Sequence, residues 1–189
     1  METDYYPWGG DFTVCSKNSC VAVVLLNINY VPPKSVAIYG SLKTENIGIE
    51  KIVANTISNP YIRFLLVCGD DIRGHRSGQS LISLNINGID NQHKIIDAKG
   101  AIPYIENLND EAIQRFRKQI KIIDLIGIND NERIDIEIKK CINSAPEPFG
   151  EPYIAIRIAP EAKVNLDDKR ALHSKIVVNY MGKIKRRGD

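Results

Sequence analysis

Three histidines punctuate the chain, and only His75 sits in a glycine-rich loop, DDIRGHRSGQS, placed directly after a run of buried character. An imidazole on such a loop can ligate a transition metal, move a proton or simply hydrogen-bond the backbone. His93, in NQHK, and His173, in a charged stretch, read as exposed side chains. No second His, Cys or carboxylate stands at a zinc spacing from His75, so a metal held by protein ligands alone is weakly supported. A cofactor that brings its own equatorial ligands needs just one. Ser77 and Ser80 lie close to His75 but lack the G-x-S-x-G elbow of a nucleophile, and Asp70-Asp71 reads as a solvated acidic pair rather than an acid-base couple. Neither G-x-G-x-x-G at the first strand nor G-x-x-x-x-G-K-[ST] occurs, which removes the dinucleotide and P-loop fingerprints.

The elements that must position this loop follow from hydrophobic pattern. Val21 to Leu26 (VAVVLL) is a continuous β-branched and aliphatic run, expected as a central strand covered on both faces. Val36 to Tyr39 is either a short strand or a helix start. From Thr44, read as an N-cap, apolar residues at helical spacing predict a helix to Ser58, ended by Asn59-Pro60. Ile62 to Cys68 (IRFLLVC) is a second buried strand. Then come the His75 loop, a helix from Gln79 to Asn87, a small strand at Lys94 to Asp97 and a turn at Gly100 to Pro103. A helix over Asp110 to Gln119, a strand-like run from Ile120 to Ile128 and a helix from Asn131 to Ile142 complete the pattern. The alternation predicts an α/β, Rossmann-like architecture, a mostly parallel sheet with helices on both faces. Ligands of such sheets bind beyond the carboxyl ends of the strands. That rule selects residues 40 to 48, 69 to 80 and 100 to 107. After residue 150 the style changes: Tyr153 to Ile158 alternates and Lys175 to Tyr180 is β-rich. The expected organisation is an α/β domain over 1–150 and a β-type C-terminal extension over 151–189, a hairpin packed on the core.

Composition bounds the partners. A chain of 189 residues with 43% hydrophobic and 25% charged residues has enough apolar content for one ordinary core. A net charge of +2, with basic residues dispersed, gives no nucleic-acid footprint, and the cluster Lys183, Lys185, Arg186, Arg187 reads as a solvated tail. The four cysteines form neither a disulfide framework nor a C-x-x-C pair, which suits a reducing cytosol. Met1 to Gly10 lacks the pattern of a secretory signal. The apolar runs fall far short of the roughly 18 residues that span a bilayer, so a cytoplasmic protein with no transmembrane segment is expected.

Four separated segments carry a family resemblance: KTENIGIEK (43–51), NPYIRFLLVCG (59–69), GHRSGQS (74–80) and GAIPYIEN (100–107). They resemble the corrinoid-carrying A-subunit of tetrahydromethanopterin S-methyltransferase, with similarity from about Val21 to Cys141. The resemblance implies a cobamide (B12-type corrinoid) cofactor with His75 as the lower axial ligand of cobalt. It further implies methyl transfer from methyl-tetrahydromethanopterin to coenzyme M, with methyltransferase subunits as partners. The cofactor-binding positions implied are Thr44, Glu45, Asn46, Gly48, Gly69, Gly74, His75, Gly78, Gln79, Ser80, Gly100, Ala101, Ile102, Pro103, Tyr104, Glu106 and Asn107. Two departures stand out. Where better-known B12 methyltransferases carry Asp two residues before the histidine, this chain has Arg73, so the carboxylate partner of the imidazole must come from elsewhere. The chain also ends in KIKRRGD, where membrane-anchored members end in a transmembrane helix. The competing expectations are a soluble corrinoid storage or delivery protein, a corrinoid carrier for a different methyltransferase and, less favoured, a structural domain without cofactor.

Overall fold

The computed structural model describes residues 5–144, 146–156, 176–178 and 184–186. A mixed five-stranded sheet forms its centre: β1 (Phe12–Val14), β2 (Val21–Leu25), β3 (Ile38–Ser41), β4 (Phe64–Gly69) and β5 (Lys121–Ile126) lie in the order β1-β3-β2-β4-β5. β2 pairs in parallel with β3 and β4, and β4 with β5, while β1 runs antiparallel to β3 at the edge.

The strand period of two sorts β2 and β4 between two cores. Ala22, Val24, Leu65 and Val67 face α1 (Ile47–Ser58), α2 (Ser77–Asn87) and α3 (Asp110–Gln119), meeting Ile49, Val53, Leu81, Leu84, Ile113 and Phe116. Val21, Val23, Leu66 and Cys68 face the opposite side, where α4 (Asn131–Asn143) contributes Ile134, Ile138 and Cys141. Coverage on both faces is why these strands are unbroken apolar runs rather than alternating ones.

Side-chain caps explain where the helices start. Asn46 accepts from Ile47 N at 2.7 Å, so α1 begins at Ile47; Thr44 instead accepts from Gly48 N at 3.0 Å out of a preceding turn, correcting its expected place as N-cap. Asn109 caps α3 through Ala112 N, and Asp130 caps α4 through Glu132 N and Arg133 N. α2 begins two residues before the expected Gln79. Its N-cap residue Arg76 has left-handed backbone (φ 42°) and no capping side chain. Asp71 performs that task from the preceding loop, accepting from Gly78 N at 3.1 Å and Gln79 N at 2.9 Å. The small strand expected at Lys94 to Asp97 does not form; isolated bridges Ile89–Ile95 and Lys94–Tyr104 stand there, and Asp97 leaves the extended region at φ 60°.

Contacts divide the chain into units Met1–Ile158 and Ala159–Asp189. The alternating segment from Tyr153 forms no strand through residue 156; Tyr153, Ala155 and Ile156 lie against the first core, and Tyr153 N donates to Ile57 O at 3.2 Å. In the second unit β6 (Ile176–Val178) and β7 (Ile184–Arg186) pair antiparallel. The expected packing of a C-terminal hairpin on the core falls outside the described residues. No helix among the described residues is long and apolar enough to cross a membrane.

Candidate functional site

From β2 the chain first places β3 on one side and then β4 on the other, so the loops after β2 and β4 part and leave a crevice beyond their carboxyl ends. There a cleft of about 560 Å³, its open mouth included, is lined by Leu26, Asn27, Leu42, Asp70, Ile72 and His75, among others. A smaller one of about 440 Å³ runs along the start of α1, lined by Asn46, Ile47, Ile102, Tyr104, Glu106 and neighbours.

His75 rises from the loop between β4 and α2. Its Nδ1 lies 3.0 Å from Glu45 Oε2, and the two side chains differ sharply in exposure, 58% for His75 against 5% for Glu45. Burial alone would raise the Glu45 carboxyl. Its own backbone N–H, the Ile102 N–H and His75 outweigh that and hold it below the usual carboxylate range. An ionised carboxylate can only accept, so it selects the imidazole tautomer with the proton on Nδ1. Nε2 has no partner among the described residues, so in the neutral ring its lone pair faces outward unused. Glu45 is thus the carboxylate that the sequence does not place two residues before the histidine.

The same carboxylate fastens the third loop. Glu45 Oε1 accepts from Ile102 N at 3.0 Å, and the buried Glu50, one turn into α1, accepts from Glu106 N, Asn107 N and Asn107 Nδ2. Gln79 completes the fastening: its Oε1 accepts from Lys99 N at 2.8 Å and its Nε2 donates to Asp97 O at 3.0 Å. Where the loops meet, Gly100 is required: a Cβ there would stand 2.5 Å from His75 O and 2.9 Å from both Glu45 Cγ and Ser80 Oγ.

The expected site residues therefore divide. Glu45, His75, Ser80, Gly100 and Ile102 come together, with Gln79, Glu106 and Asn107 fixing the loop. Tyr104 and Glu106 line the second cleft, Ala101 is exposed, and Pro103 is buried with its carbonyl accepting from Ile95 N. Gly74 (φ 92°) turns in open space. Gly69 (φ 93°) packs on Ile28, and Gly48 on Thr44 and Leu42. Gly78 is buried: a Cβ would strike Leu26 Cδ1 at 2.6 Å and approach Ile126 Cδ1 at 3.2 Å, so its missing side chain lets α2 approach these residues closely.

The remaining candidates are structural or undescribed. His93 Nδ1 lies 3.0 Å from Ile105 O, Asp71 caps α2, and Asp70 accepts from Asn129 Nδ2; His173 is outside the described residues. Among the described residues no group of three or more His, Cys, Asp or Glu could hold a metal ion. His75 Nε2 suits a metal whose other positions are filled by the cofactor itself. Ile72, 55% exposed, lines the same cleft as His75, and Ile102, 59% exposed, lines the second one. Exposed imidazole, buried carboxylate, apolar flank and cleft fit a flat, metal-centred macrocycle. Sequence reasoning marked Glu45 without its role, because no local spacing links residues 30 positions apart.

Comparison with known proteins supplies the context. The model of the family described as the A-subunit of tetrahydromethanopterin S-methyltransferase matches residues 2–165. The chain is 47% identical over 153 residues to tetrahydromethanopterin S-methyltransferase A-subunit 1 of Methanothermobacter thermautotrophicus, covering 79% of this chain and 64% of that one. It thus spans a little under two thirds of that relative's length. It is 44% identical over 149 residues to the A-subunit of a putative methyltransferase, Mtx, of Methanosarcina barkeri, covering 78% and 75%. To tetrahydromethanopterin S-methyltransferase A-subunit 2 of Methanothermobacter marburgensis it is 42% identical over 164 residues, covering 85% and 89%.

Proposed function

Because the chain belongs to the A-subunit family of tetrahydromethanopterin S-methyltransferase, we propose that it binds a cobamide through His75 Nε2 and serves as a methyl carrier between methyl-tetrahydromethanopterin and coenzyme M. The observation that carries this reading is the His75–Glu45 pair: a buried carboxylate 3.0 Å from Nδ1 of an exposed imidazole. Metal-bound histidines characteristically donate their other ring N–H to such an acceptor, which fixes the ring and raises its basicity.

The cobamide supplies the metal centre that takes up and gives away the methyl group. The protein's part is positional. Glu45 keeps the proton on Nδ1 and the lone pair on Nε2, and its second oxygen holds the 100–107 loop against the His75 loop. Ile72, which lines the same cleft as His75, would offer apolar surface to the bound group. With the group bound, His75 would hold its metal through Nε2 and would need to be able to bind and release. An exposed side chain anchored at one nitrogen allows this. Partner methyltransferase subunits deliver and collect the methyl group.

The test mixes ligand-free protein with cob(III)alamin and records the visible spectrum. Wild type should give an imidazole-ligated spectrum, His75→Ala should lose it, and His93→Ala should keep it. Glu45→Gln should weaken binding about 10–100-fold. An unchanged spectrum in His75→Ala refutes the assignment. A second reading, a corrinoid carrier for a different methyltransferase, is favoured by the Mtx relative. Methyl transfer measured from alternative donors separates the two.

A further inference from the structure

Ile49, Val53 and Ile57 of α1 fill the first core, while Gly48, Lys51, Ile52 and Asn55, at helical spacing, share a flank that borders β3 and the sheet edge. Cover on that side comes from the N-terminal segment. The buried Asn55 side chain accepts from Trp8 N at 2.9 Å and donates to Trp8 O at 2.7 Å, and Ser58 Oγ accepts from Tyr6 N at 2.9 Å. These bonds fasten residues 6–8 to the helix without filling the space between helix and sheet. A pocket of about 550 Å³, its open mouth included, remains there, walled by Phe12, Ala22, Val24, Ile38, Ile52 and Leu65.

Small residues leave it open: Gly48 on the helix and Ala22 and Gly40 on the strands. Protein interiors are otherwise close-packed, and apolar pockets of this size with few polar groups are where small molecules bind. Most of the polar groups here are engaged. Asn55 holds Trp8, Thr56 Oγ1 donates to Ile52 O at 2.7 Å, and Asp11 Oδ2 lies 3.3 Å from both Ser41 Oγ and Lys43 Nζ. Lys51 differs. It is half-buried, its stem passes near Gly10, where an added Cβ would lie 3.8 Å from Lys51 Cδ, and its ammonium joins no ion pair among the described residues. The adjacent Glu50 carboxylate is turned to Glu106 and Asn107 instead.

We propose that this pocket binds a small organic monoanion, a carboxylate on a short apolar chain, with the chain against Ala22, Val24 and Leu65 and the carboxylate on Lys51. An apolar wall with one unpaired cation beside it complements such a molecule and no neutral or cationic one as well. The pocket shares Ser41 with the His75 cleft and no other lining residue, so it is a second site, independent of the cobamide reading.

Octanoate, with octanol as its uncharged counterpart, tests this on the full chain by amide NMR titration at neutral pH. Octanoate should saturate and shift the amides of Gly40, Gly48 and Ile52, while those of Gly74 and His75 stay in place. Octanol should bind about three- to tenfold more weakly, the effect of losing one charge-assisted contact at a half-buried group. Lys51→Gln, a change at the rim that removes no bond of the fold, should bring octanoate down to the level of octanol. Shifts that never saturate, or that centre on His75 rather than Gly48, overturn the proposal. So does equal affinity for acid and alcohol, or wild-type octanoate affinity in Lys51→Gln. Cob(III)alamin titrated into the same protein reports on the cobamide reading separately, and its failure leaves the octanoate outcomes unchanged.

Discussion

Gly100→Ala is a sharp probe of how the three loops are joined. The added methyl would lie 2.5 Å from the backbone oxygen of His75 and 2.9 Å from Glu45 Cγ and Ser80 Oγ. Carbon contacts settle near 3.5–4.0 Å, so the loop must withdraw by about 1 Å. The same shift would stretch the 3.0 Å bond from Ile102 N to Glu45 Oε1 beyond hydrogen-bonding range. Overpacking of this kind costs about 1–3 kcal/mol, and losing a hydrogen bond to a charged group costs about 1.5–3 kcal/mol. Alanine's lower unfolded-state entropy returns about 0.4–1 kcal/mol, and Gly100 is outside the left-handed region, so backbone strain adds nothing. The net expectation is a loss of about 2–4 kcal/mol, read by urea denaturation. The same variant should bind cob(III)alamin at least about tenfold more weakly, because both partners of Glu45 are disturbed. Wild-type stability together with wild-type affinity would show that the loops do not meet at Gly100.

Further outcomes follow from the same contacts. The Glu45 carboxyl is held below its ordinary value of 4.5, so the unfolded chain binds the proton more readily, and stability from this group is full above that value and lost as pH falls through the lower folded one. Acid denaturation of Glu45→Gln should therefore show a shallower slope below pH 4.5 than wild type. Asp71→Ala removes both acceptors at the start of α2 and should cost about 0.5–2 kcal/mol in urea denaturation, with faster amide exchange at Gly78 and Gln79. Cys68 is fully buried and its thiol is pushed up to about 12 by that burial, so it should resist iodoacetamide at pH near 8 in the folded protein while the half-buried Cys15 reacts.

Much of the scaffold was legible because burial on both faces writes itself as uninterrupted apolar runs: β2 and β4 lie within a few residues of expectation. The bounds of α3, Asp110–Gln119, agree with the sequence reading because helical period and the Asn109 cap coincide. β1 was not legible, since three residues at a sheet edge carry no periodicity. The start of α2 was missed because its cap is Asp71, six residues before Ser77, rather than the adjacent residue. His75 was singled out by loop and glycines alone, but its partner was not: Glu45 reaches it across 30 residues through the fold. Gly78, a position implied by the resemblance, has packing that no local pattern announces: its missing side chain makes room for Leu26 and Ile126.

One consequence concerns the order in which the molecule assembles. Glu45 joins His75 across 30 positions and Ile102 across 57, so the site closes only after α1, the β4–α2 loop and the 100–107 loop have arrived. Contacts of such separation carry a large loop-closure cost and form late. The Ile102 amide is therefore a natural clock for the site. Its hydrogen exchange should be protected only while Glu45 holds both partners, and it should open in fluctuations smaller than global unfolding, ahead of amides in β2 and β4.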